Sequence, residues 1–155
     1  MRILVLTISD RAARGEYEDR SGPAVAGAIA AGIPGAVIER LVVSDEPAGI
    51  ERVIRSRDDV DAILTTGGTG LGPRDHTPEI TRNLCDRLVP GIGDYLRMKS
   101  LEQTIHAVTS RGTAAVRGQT LVVNLPGSVE GAAYCAGLLV PILPHAVRMI
   151  RGEGH

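Results

Sequence analysis

The sequence contains no phenylalanine and no tryptophan, and three tyrosines are its whole aromatic content. A core must therefore be built from Val, Ile, Leu and Ala, layered between helices and a sheet. The same shortage removes the aromatic platforms on which single-stranded nucleic acids commonly stack. Charge of one sign is missing too: the net charge is −1, so nothing argues for DNA, RNA or anionic lipid. Neither nucleic acid nor membrane is expected as a partner. Lysine is nearly absent, with Lys99 alone among 17 cations and the rest arginine, as codon bias in a GC-rich genome would produce. A lysine that survives such a bias would mark position 99 as one that needs an ammonium. The two cysteines, Cys85 and Cys135, lie in apolar helical stretches without CxxC spacing and read as buried, inert thiols. No apolar run reaches the roughly 20 residues of a membrane span, and Met1 leads straight into a strand pattern without a basic leader or cleavage site. A soluble cytoplasmic protein is the expectation. The 155 residues suit a single domain, 1–155, that buries roughly two-thirds of its surface.

What the chain does have is a regular alternation of elements. Arg2–Ile8 is a short branched apolar run, a fully buried strand. After a polar loop, Pro23–Ala31 reads as an Ala-rich helix with Ser21 as its cap and Gly32 as its stop. Ala36–Val43 gives a second strand. Ser44 and Asp45 sit where a cap belongs, ahead of a helix from Pro47 to about Arg57. Val60–Thr66 is a third strand. Thr77-Pro78-Glu79 then supplies a cap, a first-turn proline and an acid at the positive dipole end of a helix reaching about Leu88. A helix over Ile92–Gln103 follows the Pro90-Gly91 break. Thr113–Val116 and Thr120–Asn124 form a hairpin around Arg117-Gly118-Gln119, and helices over Val129–Val140 and from Pro144 close the chain. Such an order predicts an α/β three-layer sandwich, a mostly parallel sheet with helices on both faces and one antiparallel hairpin.

Ligands of open α/β sheets bind at the carboxyl ends of the strands. Four polar segments fall there: Ser9-Asp10-Arg11, Ser44-Asp45-Glu46, Thr69 to Asp75, and Asn124 to Ser128. The glycine-rich run from Thr65 to Glu79, TTGGTGLGPRDHTPE, stands out. Gly67, Gly68, Gly70 and Gly72 permit positive φ and close approach of backbone N–H groups to an anion, with a helix N-terminus behind them. It is neither a Walker loop nor a dinucleotide fingerprint, for Pro73-Arg74 stands where Lys-Ser/Thr is required and the glycine spacing is wrong. A tight strand-to-helix turn would explain the glycines alone; Thr65, Thr66, Thr69, Arg74 and Asp75 around them favour a phosphate site. Asp10, Asp45 and Asp75 invite Mg²⁺, which takes one or two carboxylates beside substrate phosphates. Against this, Asp45 could simply cap its helix and Asp10 be solvated. Arg97, Lys99, Ser100, Ser110 and Arg111 could add donors for a polyanion, although a solvated Arg97 is the plainer reading. His76, His106 and His145 show no metal spacing and no triad partner.

TTGGTGLGPRDHTPE, RMKSLE at Arg97–Glu102, SRG at Ser110–Gly112 and NLPGS at Asn124–Ser128 together resemble the MogA/MoaB molybdopterin-binding family, whose fold also occurs as a domain of gephyrin. The resemblance runs from Ile3 to about Arg148, and GPRD-x-TPE with NLPG is closer to the MogA branch. It implies a molybdopterin adenylyltransferase of molybdenum cofactor biosynthesis. AMP would pass from ATP to the terminal phosphate of molybdopterin with release of pyrophosphate. By motif, Asp45 and Asp75 would be the catalytic acids that hold Mg²⁺ and position the nucleotide. Ser100, Ser110 and Asn124 would contact the pterin or its phosphate, and Thr69, Gly70 and Gly127 would line the site. A homotrimer is implied, with hand-over to a molybdenum-insertion protein. Two alternatives stay open: a MoaB-type binder with little transfer, and a non-catalytic binding or scaffold module.

Overall fold

The computed structural model describes residues 1–153, so the last two residues of the expected domain lie outside the described residues. Six strands form one sheet in the order β2-β1-β3-β6-β5-β4. These are β1 (Arg2–Ile8), β2 (Val37–Val43), β3 (Ala62–Thr66), β4 (Arg87–Leu88), β5 (Ala114–Arg117) and β6 (Thr120–Leu125). The four strands β2, β1, β3 and β6 run parallel, while β5 is antiparallel to both β6 and β4. The expected three-layer fold is present, and the β5–β6 hairpin turns on Gly118 at φ 56°.

Both faces of the sheet are covered, which is why β1 reads as a continuous apolar run. Ile3 and Val5 point into one layer, with Val25 and Ile29 of α2 (Ser21–Gly32), Ile92 and Leu96 of α5 (Pro90–Ser100), Ala132 and Leu139 of α6 (Val129–Leu139) and Leu143 of α7 (Leu143–Ile150). Leu4, Leu6 and Ile8 point into the other, with Ile50 and Ile54 of α3 (Pro47–Ser56) and Ile80 of α4 (Thr77–Leu84). A short helix, α1 (Asp10–Ala13), follows β1. Ile8 pairs with Val43, Thr7 with Thr66, and Thr66 with Leu125, so the parallel strands end level on one rim. No single helix among the described residues is long and apolar enough to cross a membrane.

Several element ends differ from expectation. The helix expected to reach Leu88 stops at Leu84, and Arg87–Leu88 leaves it to pair with β5; two residues are too few to show a period. Pro90 opens α5 at its first turn, where a missing N–H costs nothing, instead of breaking the chain ahead of it. Ile105–Thr109 forms an unexpected 3-10 turn. The caps also moved. Ser21 lies inside α2, where the Asp19 carboxylate accepts from the Gly22 N–H at 3.0 Å and takes the capping role. Thr77 lies inside α4, and its hydroxyl donates instead to the Gly67 carbonyl at 3.1 Å. Asp45 does not cap α3, whose N-cap position is Glu46.

Candidate active site

A cavity of about 520 Å³ opens on the rim where the parallel strands end. It collects Gly68, Thr69, Gly70 and Asp75 from the loop after β3, Ser100 from the end of α5, Ser110 beyond the 3-10 turn, Asn124 from the end of β6 and Gly127 just after it. Residues up to 59 positions apart thus meet because β3 and β6 are neighbours in register, with Thr65 opposite Asn124. All eight are expected from the sequence. Gly67 and Gly72 do not line this cavity, and neither do Asp10 and Asp45.

The loop has a definite reason for its glycines. Gly67 and Gly68 hold φ of 105° and 65°, in the left-handed region that costs an ordinary residue strain. A side chain at Gly67 would strike the Ile8 carbonyl, and one at Gly68 the Thr77 hydroxyl. This path leaves the backbone N–H groups of Gly68, Thr69 and Gly70 without a protein acceptor among the described residues. The N-terminus of α6 meets the same cavity through Ser128, Glu130 and Gly131. Successive free amides beside a helix N-terminus form an anion-binding concavity.

Asp75 belongs to this end. Its Oδ2 accepts the Gly72 N–H at 2.8 Å, while its other carboxylate oxygen has no hydrogen-bond partner among the described residues. A Cβ at Gly70 or Gly72 would stand 2.9 Å from Asp75 Oδ2 and would push that carboxylate aside.

The arginines have other employment than the sequence suggested. Arg111 does not offer its guanidinium to a ligand. Its Nε donates to the Gly70 carbonyl at 2.7 Å, one terminal nitrogen to the Asp75 carbonyl at 2.5 Å, and the other to the Glu79 carboxylate, while its own N–H reaches the Thr69 carbonyl. Arg111 therefore clamps the glycine loop from behind. Arg97, read as solvated, holds the carbonyls of Ser110 and Gly112 at 3.1 and 2.9 Å and pairs with Asp94. It shapes the wall that carries Ser110. Arg74 leaves the cavity for Asp10 and Glu46, each at 2.9 Å. Lys99 pairs with exposed Glu102 at 2.7 Å outside the cavity, so no ligand contact explains the lone lysine. No signal in the sequence marks the Arg97 and Arg111 contacts, since both join segments distant in the chain.

The three acids do not form one cluster. Asp10 and Asp45 hold each other: the Asp10 N–H donates to the Asp45 carboxylate at 2.7 Å, and the Asp45 N–H to the Asp10 carboxylate at 3.0 Å. Together with Arg74 and Glu46 they tie the loops after β1, β2 and β3 to one another. Among the described residues no group of three or more His, Cys, Asp or Glu side chains is placed to share a metal ion. Asp10 and Asp45 are spent on loop-to-loop bonds, and of the three acids only Asp75 lines the cavity.

Asn124 also differs in detail. It is 3% exposed, and its amide donates to the hydroxyls of Thr65 and Thr81 at 3.1 and 2.9 Å. Both donors are used inside the protein, so its side chain fixes the strand ends beneath the cavity. Ser100 meets the thiol of Cys135 in the cavity wall at 3.4 Å. Burial raises the Cys135 thiol pKa and pushes Cys85 up to about 11, which agrees with inert thiols. Cys85 sits just past α4 and is half-buried, more open than expected.

Comparison with known proteins adds independent findings. A family described as "Probable molybdopterin binding domain" matches residues 4–145. The chain is 37% identical to molybdopterin adenylyltransferase of Helicobacter pylori J99, covering 99% of this chain and 89% of that one. It is 39% identical to the molybdenum cofactor synthesis protein cinnamon of Drosophila melanogaster over 94% of this chain, yet spans only 25% of the fly protein. Among solved structures, the molybdopterin biosynthesis enzyme MoaB of Thermus thermophilus is 44% identical with a TM-score of 0.85, covering 99% of this chain and 98% of that one. A MogA structure is 36% identical with a TM-score of 0.89, covering 97% and 99%.

Proposed function

This chain belongs to the MogA/MoaB molybdopterin-binding family, and we propose that it is a molybdopterin adenylyltransferase of molybdenum cofactor biosynthesis. Molybdopterin and ATP are its substrates on this reading. The observation that carries it is the meeting of Thr69, Gly70, Asp75, Ser100, Ser110 and Gly127 in one cavity whose polar end is a run of free backbone amides. Adenylyl transfer asks little covalent chemistry of a protein; positioning and neutralisation of charge supply the rate. A protein nucleophile is therefore not required.

The residues divide the work as follows. The N–H groups of Gly68, Thr69 and Gly70 receive phosphate oxygens and stabilise the charge that gathers on them. Ser100 and Ser110 hold the pterin and its phosphate side, which attacks the α-phosphorus of ATP. Asp75 fits a Mg²⁺ that arrives with the nucleotide: one carboxylate with a spare oxygen beside substrate phosphates meets the demand of that ion. Magnesium would supply neutralisation of the triphosphate. Asp45, outside the cavity, acts on the site by ordering the loop of Asp10 and, through it, Arg74.

A homotrimer is part of the proposal, and the exposed apolar side chains Met98 on α5, Leu101 just past it, and Ile105 and Val108 on the 3-10 turn support a subunit contact beside the cavity. A MoaB-type binder with little transfer is the second reading, kept because the chain is also 44% identical to a Thermus protein named MoaB. Mixing protein, molybdopterin, ATP and Mg²⁺ and following pyrophosphate release separates them. Stoichiometric pterin binding without pyrophosphate release would leave only the second.

A further inference from the structure

Two aromatic rings line the cavity at the rim, Tyr134 and His106. His106 rides on the exposed 3-10 turn, whereas Tyr134 is half-buried on the second turn of α6. The other two tyrosines of the chain are engaged elsewhere: Arg11 lies over the Tyr17 ring, and Tyr95 packs against the core. Packing does not account for Tyr134 in the same way. α6 buries Ala132, Cys135, Ala136 and Leu139, and Tyr134 is not among them, so its ring is left for the cavity.

The ring is also held in place. Its hydroxyl donates to the Lys99 carbonyl at 3.3 Å, in the last turn of α5. Beside that bond, Ser100 meets Cys135 at 3.4 Å. Two consecutive residues of α5 thus meet two consecutive residues of α6, and turning the ring away breaks this seam. A tyrosine has only two side-chain torsions to fix, so an anchored hydroxyl leaves a rigid face at low entropic cost. Gln103 and Glu130 line the same cavity, and neither side chain has a hydrogen bond to another residue among those described. An amide and a carboxylate therefore remain for the edge of a flat ring whose face meets Tyr134. A pterin carries donors and acceptors around such a ring.

We infer that Tyr134 is the platform on which the pterin ring of the substrate stacks, and that it sets specificity for that ring. The inference rests on the reading of this cavity as the molybdopterin site. The amides of Gly68, Thr69 and Gly70 meet only phosphate and cannot tell one phosphorylated ligand from another. Ser100, placed on the pterin in that reading, is the immediate neighbour of the seam that fixes the tyrosine. An offset stack on an aromatic face supplies the missing discrimination, because an aliphatic side chain offers no π-face to a heterocycle.

Molybdopterin titrated into the full chain, followed by quenching of the pterin fluorescence, tests the contact. Tyr134→Leu should weaken molybdopterin binding by about 10-fold or more, the scale of one lost stacking partner. Tyr134→Phe keeps the ring and gives up only the bond to Lys99, so it should bind as the wild type does. ATP affinity should stay unchanged in both, and melting temperatures are measured alongside. Tyr134→Trp introduces a single indole into a chain that has none, and molybdopterin should quench its emission. That signal carries the test if Tyr134→Leu does not fold. A tyrosine that merely ties α5 to α6 would leave the phenylalanine and leucine variants equally weakened, and this result overturns the assignment. Unchanged molybdopterin affinity in Tyr134→Leu overturns it as well, as does an unquenched indole at saturating molybdopterin. A loss of ATP affinity as large as the loss for molybdopterin would give the ring to adenine and also overturn it. If molybdopterin binds through Tyr134 but no pyrophosphate is released from ATP, the platform stands and the adenylyltransferase reading falls.

Discussion

Replacing Arg111 by alanine tests whether a residue that need not touch substrate governs the phosphate loop. The substitution removes hydrogen bonds to the Gly70 and Asp75 carbonyls and the ion pair with Glu79. Glu79 and Arg111 are part-exposed, with 45% and 31% of their side chains accessible, so the pair itself contributes only about 0–1 kcal/mol. The two carbonyl bonds from a cation are worth more, about 1.5–3 kcal/mol each when made alone. They are not additive, and the exposed loop lets water replace part of each. Glu79 already has one buried carboxylate oxygen without a partner, which raises the cost of losing its cation. A net loss of about 2–3 kcal/mol follows, or about 4–12 °C in melting temperature for a chain of this length. The larger effect falls on chemistry. Gly70 and Asp75 bracket the amides and the carboxylate of the site, and a displacement of about 1 Å costs about 100-fold in rate. Pyrophosphate release under saturating ATP and molybdopterin should fall by that factor, and Arg111→Lys should rescue it only in part, since one ammonium cannot span three acceptors. Arg57→Ala provides the control, breaking ion pairs to Glu39 and Asp59 well away from the cavity. If Arg111→Ala lowers turnover no more than an equally destabilised Arg57→Ala, the loop is not held by this clamp.

Asp75→Asn should retain molybdopterin binding while adenylyl transfer falls by about 100-fold or more, the scale of one electrostatic group in a site; turnover at the wild-type rate removes Asp75 from the reaction. Gly68→Ala forces a side chain into the left-handed region at a cost of about 1–2 kcal/mol and drives it against Thr77. Calorimetry should show a lower melting temperature, and loss of phosphate-dependent stabilisation should accompany it. With its thiol pushed from 9.0 to about 11 by burial, Cys85 should react with iodoacetamide at about pH 8 roughly 100-fold more slowly than a free cysteine. Mass spectrometry before and after urea unfolding reads that difference, and equal rates would contradict the burial. Hydrogen bonds from Arg57 hold the Glu39 and Asp59 carboxyls below their ordinary values, so their stabilisation exists above the unfolded pKa values and is lost as pH falls through the folded ones. The melting-temperature gap between wild type and Arg57→Ala should therefore narrow between about pH 6 and pH 3.

The layers were legible in the sequence because each apolar run carried its own period. β1 was readable residue for residue, since a strand buried on both faces shows an almost unbroken apolar run, here from Ile3 to Ile8 with Thr7 alone polar. The hairpin was readable because Gly118 supplies the turn. β4 was not, as a two-residue strand is defined by its partner β5 and not by itself. Capping failed where hydroxyls had a better use: Thr77 is drawn to the Gly67 carbonyl because the glycine path brings that group within reach. The convergence of Thr69, Ser100, Ser110 and Gly127 followed from motif resemblance together with parallel topology. The clamps of Arg97 and Arg111 and the mutual hold of Asp10 and Asp45 lay beyond the sequence, because each joins segments that only the folded sheet brings together.

Those clamps change how charge is balanced in the proposed reaction. Arg74, Arg97 and Arg111 all stand near the rim, and a reading by residue type would give them to the substrates. The structure spends all three on protein carbonyls and carboxylates instead. Two phosphorylated substrates must nevertheless approach each other, and their mutual repulsion has to be met by something. Free amides of the loop supply partial charge only. On the proposed reading a magnesium ion carried by ATP would supply full charge, with Asp75 as the carboxylate that would hold it. Rigid arginines thus set the shape of the loop, while mobile positive charge would enter with the nucleotide. On that reading transfer should depend on the metal that arrives with the nucleotide, and chelation of magnesium should abolish pyrophosphate release while molybdopterin binding persists.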